Sequence, residues 1–345
     1  MELANKEWKE FFIEDIFNIK SGKRLTKAEM VSGNIPFIGA TDSNNGVTEF
    51  IANRNSSLDK NVLGVNYNGS VVYNFYHSYE AVFSDDVKRL SFKEFEGNKY
   101  SFLFVKALIM QQKIKYEYGY KFNGKRMKRQ KILLPINSKS EPDYAFMEKY
   151  MKQKEIELVK QYKKQVSEFE GVVPLSKKEW KEFKLIDMFN FEKGDQNNMA
   201  NIKTGSIPLV SAKKSENGYK DFALQSKKMY RGNSLTLNND GDGGAGIAYY
   251  QPTNYLLDSH VTALYPKINL NKFTLLYISR SITAQRNKFG HGYSINNQRL
   301  KVFKLMLPIN DKNEPDYAYM ENYMKALENE KITQYLEYKN KRGAD

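Results

Sequence analysis

Across 345 residues the chain carries 54 Lys and Arg against 40 Asp and Glu, a formal net charge of +14 at pH 7. The absence of cysteine excludes disulfides, thiolate metal sites and cysteine nucleophiles, and imidazole comes only from His77, His260 and His291. There is no stretch of 18 apolar residues and no apolar signal-peptide core in the first 20, so the expectation is a soluble cytoplasmic protein with a polyanionic partner, nucleic acid before a membrane surface.

In chain order, Trp8-Lys9-Glu10-Phe11 opens a region of short Val-, Ile-, Tyr- and Phe-rich runs broken by Asn and Gly. Val62–Tyr76 reads as strands joined by a tight connection, and Tyr100–Lys115 reads as a helix. After Leu134-Pro135-Ile136-Asn137 a long helix is expected from Pro142 to about Phe169, roughly 42 Å at 1.5 Å per residue. Pro142 is expected in its first turn, where a missing N–H costs nothing. The whole pattern then recurs 172–174 residues later. Trp180-Lys181-Glu182-Phe183 reopens it, Ser234–Gln251 repeats the strands, Lys272–Lys288 the helix, and EPDYAYMENYM at Glu314–Met324 echoes EPDYAFMEKYM at Glu141–Met151. Solenoid repeats have periods of roughly 20–50 residues, so this period means two tandem domains. Each is expected to be mixed α/β with a twisted sheet at its centre. The expected layout is a globular part at 1–140, a long helix at 141–171, a second globular part at 172–313 and a second helix at 314–345.

Each long helix carries an apolar seam. Ile156, Val159, Tyr162, Val166 and Phe169 follow one another at spacings of 3 and 4, after Met147 and Met151. Met320, Met324, Leu327, Ile332, Tyr335 and Leu336 form the second seam. The spacing suits either packing on the helix's own domain or pairing of the two helices as a spacer, and the helix length favours pairing.

Catalytic motifs fail on context. Gly241–Gly246 has the glycine spacing of a dinucleotide loop, but Ile247-Ala248-Tyr249-Tyr250 after it reads as a strand where a helix is needed. Asp240-Gly241-Asp242 opens like a calcium loop, yet its twelfth position is Gln251. Pro315-Asp316 with Glu337-Tyr338-Lys339 resembles a Mg²⁺-nuclease set, but the two parts lie about 30 Å apart along one helix. No phosphate-binding P-loop, amino-methyltransferase tetrapeptide or Ser/His/Asp context is present. The chain reads as non-catalytic, with no metal or cofactor of its own. A self-contained Mg²⁺-dependent nuclease and a non-specific single-stranded nucleic-acid binder built on Tyr and Phe stacking are the alternatives.

Basic and polar clusters remain. Lys23 and Arg24, then Lys125, Arg126 and Lys128, then Arg299 and Lys301 are candidates for phosphate contact, which positions a protein without reading sequence. Base reading needs exposed polar loops. The candidates are Thr41, Asn44 and Asn45 with Lys213 and Lys214, then Asn68 with Asn239 and Asp242, then Asn74, Tyr76 and His77 with Tyr249 and Tyr250. Each of these stretches is also a good turn.

Several of these residues carry a likeness to a known family. They are the Trp-Lys-Glu-Phe openings followed by Asp15-Ile16-Phe17 and Gly22, or by Asp187-Met188-Phe189 and Gly194. To these are added Asn44-Asn45-Gly46 after Ile35-Pro36-Phe37-Ile38, the run Asn68–Leu90, and the runs from Tyr120 and Tyr293 through Arg126 and Arg299 to Leu-Pro-Ile. Over nearly its whole length the chain resembles the DNA-specificity subunits of type I restriction–modification systems. Its helix start is closer to the compact type IIB (BcgI-like) versions than to the Leu-Pro-Pro-Leu…Glu-Gln start of type I subunits. The resemblance implies two target-recognition domains related by a pseudo-twofold and held apart by two long antiparallel coiled-coil helices. Each domain would read half of a split double-stranded DNA site. A partner methyltransferase, or a fused methyltransferase–endonuclease, would dock on the helices and supply the S-adenosylmethionine and Mg²⁺ chemistry. A 42 Å helix spans on the order of 12 base pairs at about 3.4 Å each.

Overall fold

A computed structural model describes residues 2–116, 120–169, 171–197, 202–240, 244–289 and 293–342. The chain divides into two compact units, Met1–Gln161 and Tyr162–Asp345. In the first, β1 (Trp8–Phe12), α1 (Ile13–Ile16), β2 (Phe17–Ser21), β3 (Ser32–Ile38) and β4 (Val47–Ile51) precede β5 (Val62–Asn66), β6 (Asn74–His77), β7 (Val82–Phe83) and β8 (Val87–Phe92). Helix α2 (Lys99–Met110), the short α3 (Gly124–Arg129), β9 (Lys131–Pro135) and the long α4 (Tyr144–Ser167), whose last turns from Tyr162 belong to the second unit, complete it.

The strands form three sheets where the sequence suggests one. A four-stranded antiparallel sheet has the order β2-β8-β5-β6, a three-stranded sheet the order β4-β3-β7 with β3 and β7 parallel, and β1 pairs with β9. The centre is β5, whose Val-Leu-Gly-Val-Asn is buried at every position. Leu63 and Val65 join Phe17, Leu90, Phe102, Val105 and Ile109 in the core shared with α2. Val62 joins Ile38, Phe83 and Val87 in a separate cluster. A strand apolar on both faces needs a layer on each side, and α2 with the three-stranded sheet supplies them. Asn98 caps α2 by accepting from Tyr100 N–H and Ser101 N–H, and Ser101 Oγ reciprocates. The expected helix at Tyr100–Lys115 is α2 followed by a 3-10 turn at Gln111–Lys115. The family glycine Gly22 sits where a Cβ would lie 2.0 Å from Ser84 O, so the chain can cross the β7–β8 turn only without a side chain.

The second unit repeats this order. It comprises β10 (Trp180–Lys184), α5 (Leu185–Met188), β11 (Phe189–Lys193), β12 (Thr204–Val210), β13 (Tyr219–Ala223), β14 (Ser234–Asn238), β15 (Ala248–Gln251), β16 (Leu256–Leu257) and β17 (Val261–Pro266). Then come α6 (Lys272–Thr283), α7 (Asn297–Val302), β18 (Lys304–Pro308) and α8 (Tyr317–Arg342). Sheet orders β11-β17-β14-β15, β13-β12-β16 and β10-β18 match the first unit strand for strand. Trp180 faces Pro308 as Trp8 faces Pro135, and Gly194 meets Asp258 O as Gly22 meets Ser84 O.

The long helices begin later than the sequence suggests. Pro142 and Pro315 lie outside them, bridging Ile136 and Ile309, and the caps are Asp143 and Asp316. Asp143 accepts from Phe146 N–H at 2.9 Å and from Lys6 at 2.7 Å; Asp316 accepts from Tyr319 N–H at 3.0 Å and from Lys178 at 2.7 Å. The 24 residues of α4 span about 36 Å.

The seams divide by depth. Met147 is buried in the first unit's core and Met151 packs against it; Met320 and Met324 do the same in the second. Ile156, expected in the seam, is 61% exposed. The neighbouring Glu155 turns inward, to Lys99 at 2.7 Å and Tyr100 at 2.6 Å, so that stretch of α4 packs through polar contacts. Val159, Val166 and Leu336 are half-buried, Ile332 is buried, and Leu327 is 38% exposed. Within the second unit the last turns of α4 do meet α8. Tyr162 packs edge-on against Tyr335 with centroids 6.0 Å apart, and Gln165 donates to Glu328 at 2.8 Å and Asn329 at 3.0 Å. An apolar periodicity could not show the Gln165 link. No helix among the described residues is long and apolar enough to cross a membrane.

Burial opposes ionisation of Asp143, but the Lys6 ammonium and the Phe146 N–H outweigh it and hold the carboxyl below its ordinary range. A depressed folded-state pKa means that this stabilisation is complete above the ordinary carboxylate pKa and is lost as pH falls through the folded value. Asp143→Asn, which keeps a capping oxygen but loses the charge paired with Lys6, is therefore expected to cost about 1 kcal/mol at pH 7 and much less in strong acid. Denaturant melts of both proteins at neutral and acidic pH measure this, and an equal cost at both would contradict it.

Candidate nucleic-acid interface

Three connections of the first unit meet at one edge of the four-stranded sheet. The β3–β4 connection is tied to the β5–β6 connection by Asn66 Nδ2 donating to Thr41 O at 2.8 Å and Ser70 N–H donating to Ala40 O. The β7–β8 turn joins them through Tyr67 N–H to Asp86 O and Asn68 Nδ2 to Asp86 Oδ1 at 2.9 Å. Lys88 donates to Ser21 Oγ at 2.8 Å and lies 4.6 Å over the Tyr67 ring. Burial pulls its ammonium below the ordinary lysine pKa, against the raising influence of Asp85 and Asp86. Lys23 N–H donates to Phe83 O, which brings the exposed Lys23 and Arg24 beside the same turn. Thr41, Asn68, Lys23 and Arg24 thus belong to one surface although they span 45 positions of sequence (68 − 23), while Asn44 and Asn45 follow on the same β3–β4 connection with Asn45 Nδ2 donating to the Tyr79 hydroxyl at 3.0 Å.

The second unit builds the same edge from different side chains. Asn238 Nδ2 donates to Lys213 O at 2.9 Å, repeating the Asn66–Thr41 bond. The Lys213 ammonium pairs with Glu216, while Lys214 is exposed. His260 Nδ1 lies 2.8 Å from Asp240 Oδ1. Asn239 is buried, accepts from Thr262 Oγ1 at 2.8 Å and takes Ile295 N–H on its carbonyl, so it holds the edge together. A polar cavity of about 580 Å³ opens here, lined by Lys193, Asp240, Ser259, His260, Asn296 and Gln298 among others. Asp242 lies outside the described residues, as do Gly241 and Gly243 of the glycine run. The strand β15 does follow that run, as expected.

The third expected reading loop is corrected. Asn74 and His77 are fully buried at the two ends of β6, and Tyr76 is stacked on Phe102 at 5.0 Å with its hydroxyl on Asn61. Their counterparts are similarly engaged: the Tyr249 hydroxyl donates to Lys213 O, and Tyr250 packs against the core with its hydroxyl on Asn233. A strand turns alternate side chains to opposite faces, so polar residues in β6 can enter a core as readily as solvent. His77 faces Gly64, whose absent Cβ would lie 3.0 Å from Nε2. In the second unit Gln251 takes its place and donates to Thr236 at 3.1 Å, the residue that replaces Gly64.

The sequence reading missed Tyr67, Asp86 and Lys88 in the first unit, and His260, Asn296 and Gln298 in the second. The available signal was the position of Asp86 and His260 just before a strand, in a turn whose residues change between the copies. Lys125, Lys128 and Lys301 are exposed on α3 and α7; Arg126 and Arg299 are half-buried there. Asp316, invoked for a nuclease, is the cap of α8 and is held by Lys178, with Glu337 about 31 Å along the same helix. Among the described residues no group of three or more His, Asp or Glu could hold a metal ion.

Comparison with known proteins adds four likenesses. A family model described as the type I restriction modification DNA specificity domain matches twice, over residues 5–168 and 177–338. A curated type II restriction enzyme specificity subunit, S.BcgI of Heyndrickxia coagulans, is 62% identical over 157 residues, 46% of this chain and 46% of that protein. The chain thus matches a little under half the length of that relative. Among solved structures, the type I restriction–modification S subunit of M. genitalium is similar over 98% of this chain and 94% of its own, at 14% identity and a TM-score of 0.40. The HsdS subunit of Thermoanaerobacter tengcongensis is similar over 96% and 90%, at 12% identity and a TM-score of 0.32.

Burial lowers the His77 pKa to about 4 from an ordinary 6.5, so the imidazole is neutral in the folded protein at pH 7. The unfolded chain binds this proton first, so the resulting stability is complete above about pH 6.5 and is lost as pH falls toward 4. The loss amounts to on the order of 3 kcal/mol. An NMR titration that finds the His77 ring protonated at pH 6 would contradict this burial.

Proposed function

Because the chain belongs to the type I restriction modification DNA specificity family, matched over most of both units, we propose that it is a sequence-specific reader of double-stranded DNA. Each unit reads one half of a split site. One observation carries this reading: both units bring the same three connections together, and the β3–β4 and β12–β13 connections keep one backbone shape with different side chains. Asn44, Asn45 and Gly46 have φ of 49, 54 and 78°; Glu216, Asn217 and Gly218 have 54, 54 and 76°. Asp86 is matched by His260, Asn68 by Asp240 and Lys88 by Thr262. A scaffold that keeps its loop shape and exchanges its donors and acceptors is suited to reading two different base patterns in a groove.

The chain acts as a non-catalytic, soluble, cytoplasmic subunit in this reading. The chemistry resides in a partner methyltransferase, alone or fused to an endonuclease, which binds S-adenosylmethionine and Mg²⁺. The name of the S.BcgI relative, a specificity subunit of a restriction enzyme, supports such a division. The partner docks on the long helices, where Ile156, Leu158, Leu327 and Tyr338 offer exposed apolar surface. The expected parts of the molecule are recognition domains at 1–140 and 172–313, with helices at 141–171 and 314–345.

Replacing residues 7–135 with the corresponding region of a relative should change one methylated half-site and leave the other as it was. Sequencing of the methylated DNA reads this directly. An unchanged site on both sides would sink the proposal, and DNA cleavage by the purified chain with Mg²⁺ alone would replace it with the nuclease reading.

A further inference from the structure

Both units carry the same three-layer stack at the turn before α3 and α7. In the first, the Arg126 guanidinium lies 3.7 Å from the Tyr120 centroid, and Tyr120 stacks on Tyr116 at 5.7 Å. In the second, Arg299 lies 3.6 Å over Tyr293, which stacks on Phe289 at 6.4 Å. Each arginine donates from Nη1 to a carbonyl five residues earlier, Lys121 O or Ser294 O. Each is fixed from behind by an asparagine that accepts its backbone N–H, Asn123 at 3.1 Å or Asn296 at 2.9 Å. The tyrosine rings are 49% and 51% exposed. A lysine recurs beside each stack: Lys115 is held by Gln112 and Lys288 by Gln285, both at 2.7 Å. Lys288, Tyr293 and Arg299 line a cleft of about 630 Å³, and the carboxylate on its rim, Glu182, is held by Lys304 at 2.8 Å.

A guanidinium with one face on a ring and one nitrogen on a carbonyl keeps its Nε–Nη2 edge for a bidentate acceptor. Neither arginine is paired with a carboxylate in the described structure. The duplication then separates two kinds of residue. Lys23 and Arg24 become Asp195 and Gln196, and Lys125 becomes Gln298, whereas the stacked arginine, its tyrosine and the flanking lysine stay. Two half-sites that differ in bases share one component, the sugar–phosphate backbone. Resting on the DNA-reading proposal, we infer that Arg126 with Lys115, and Arg299 with Lys288, form one phosphate anchor in each unit, so that both half-sites are gripped by identical chemistry and distinguished elsewhere.

The test uses the full chain assembled with its partner, a labelled cognate duplex and a scrambled duplex, titrated by fluorescence anisotropy across a range of salt concentrations. Arg126→Gln and Arg299→Gln are each expected to weaken both duplexes on the order of tenfold and to reduce the slope of log affinity against log salt by about 1. The cognate preference should be retained. A slope equal to wild type overturns the inference, as does a loss confined to the cognate duplex or a loss of partner assembly in its place. If a variant fails to fold, phosphate-ethylation interference with the unaltered protein decides: one blocking phosphate at the matching position of each half-site is expected, and no such repeated position overturns it. A wild-type complex with no cognate preference would instead defeat the DNA-reading proposal itself.

Discussion

Each unit depends on the pairing of its first and last strands. β1 and β9 are separated by more than a hundred residues, yet their five-residue ladder closes the unit and fixes where the chain leaves it. Asp143 N–H donates to Pro135 O, Pro142 bridges Ile136, and Lys6, just before β1, neutralises the Asp143 cap. The start of α4 is thereby built on both ends of the domain. The second unit repeats every one of these contacts through Lys178, Pro308, Pro315 and Asp316. Lys6 and Lys178 also lie 4.8 and 5.0 Å over Phe146 and Tyr319, which keeps these half-buried cations desolvated on one side and paired on the other. A long helix carries the position of its first turn along its whole length, so this junction determines where each helix points from its own domain.

The same economy of backbone governs the polar edge. In αL conformation Asn and Gly are at ease, whereas Glu216 occupies it at a position where the first unit has Asn44. Its pairing with Lys213 helps hold that conformation. Buried pairs change together as well. His77 requires the space left by Gly64, and Gln251 requires the hydroxyl of Thr236, so the substitutions in one strand are meaningful only with those in its neighbour. Such changes preserve the ladder between β5 and β6 and between β14 and β15, although the connection joining those strands is two residues longer in the second unit.

Much of this was legible in the sequence because it is local or periodic. The 172–174-residue offset gave two units, Val- and Tyr-rich runs broken by Asn and Gly gave the strands of Val62–Tyr76, and the Pro-Asp pairs marked the helix starts to within two residues. What was not legible depends on partners distant in sequence. Asn74 and His77 look like any polar turn residues until β6 is paired with β5 and covered on both faces. Ile156 belongs to an apolar seam on spacing alone, but Glu155 beside it finds Lys99 and Tyr100 and carries the packing. Lys88 and His260 reached the candidate edge only once β8 and β17 were placed beside the hairpins, and Gln165 was invisible to any apolar pattern.

The charge of the chain gains meaning from this geometry. A net +14 would favour any polyanion if it were spread evenly. Part of the positive charge is compensated within the scaffold: Lys131 pairs with Glu10, Lys304 with Glu182, Arg89 with Asp59, and the two helix-start lysines with their aspartates. Lys125, Lys128, Lys214 and Lys301 are exposed at the loops and short helices that flank the polar edge. Cations committed inside the fold contribute little to a distant partner, because each is compensated within a few ångströms. Those on the connections act at full strength on whatever approaches that edge. The exposed cations on and beside these connections therefore add an attraction for a polyanion where the donors and acceptors differ between the two units.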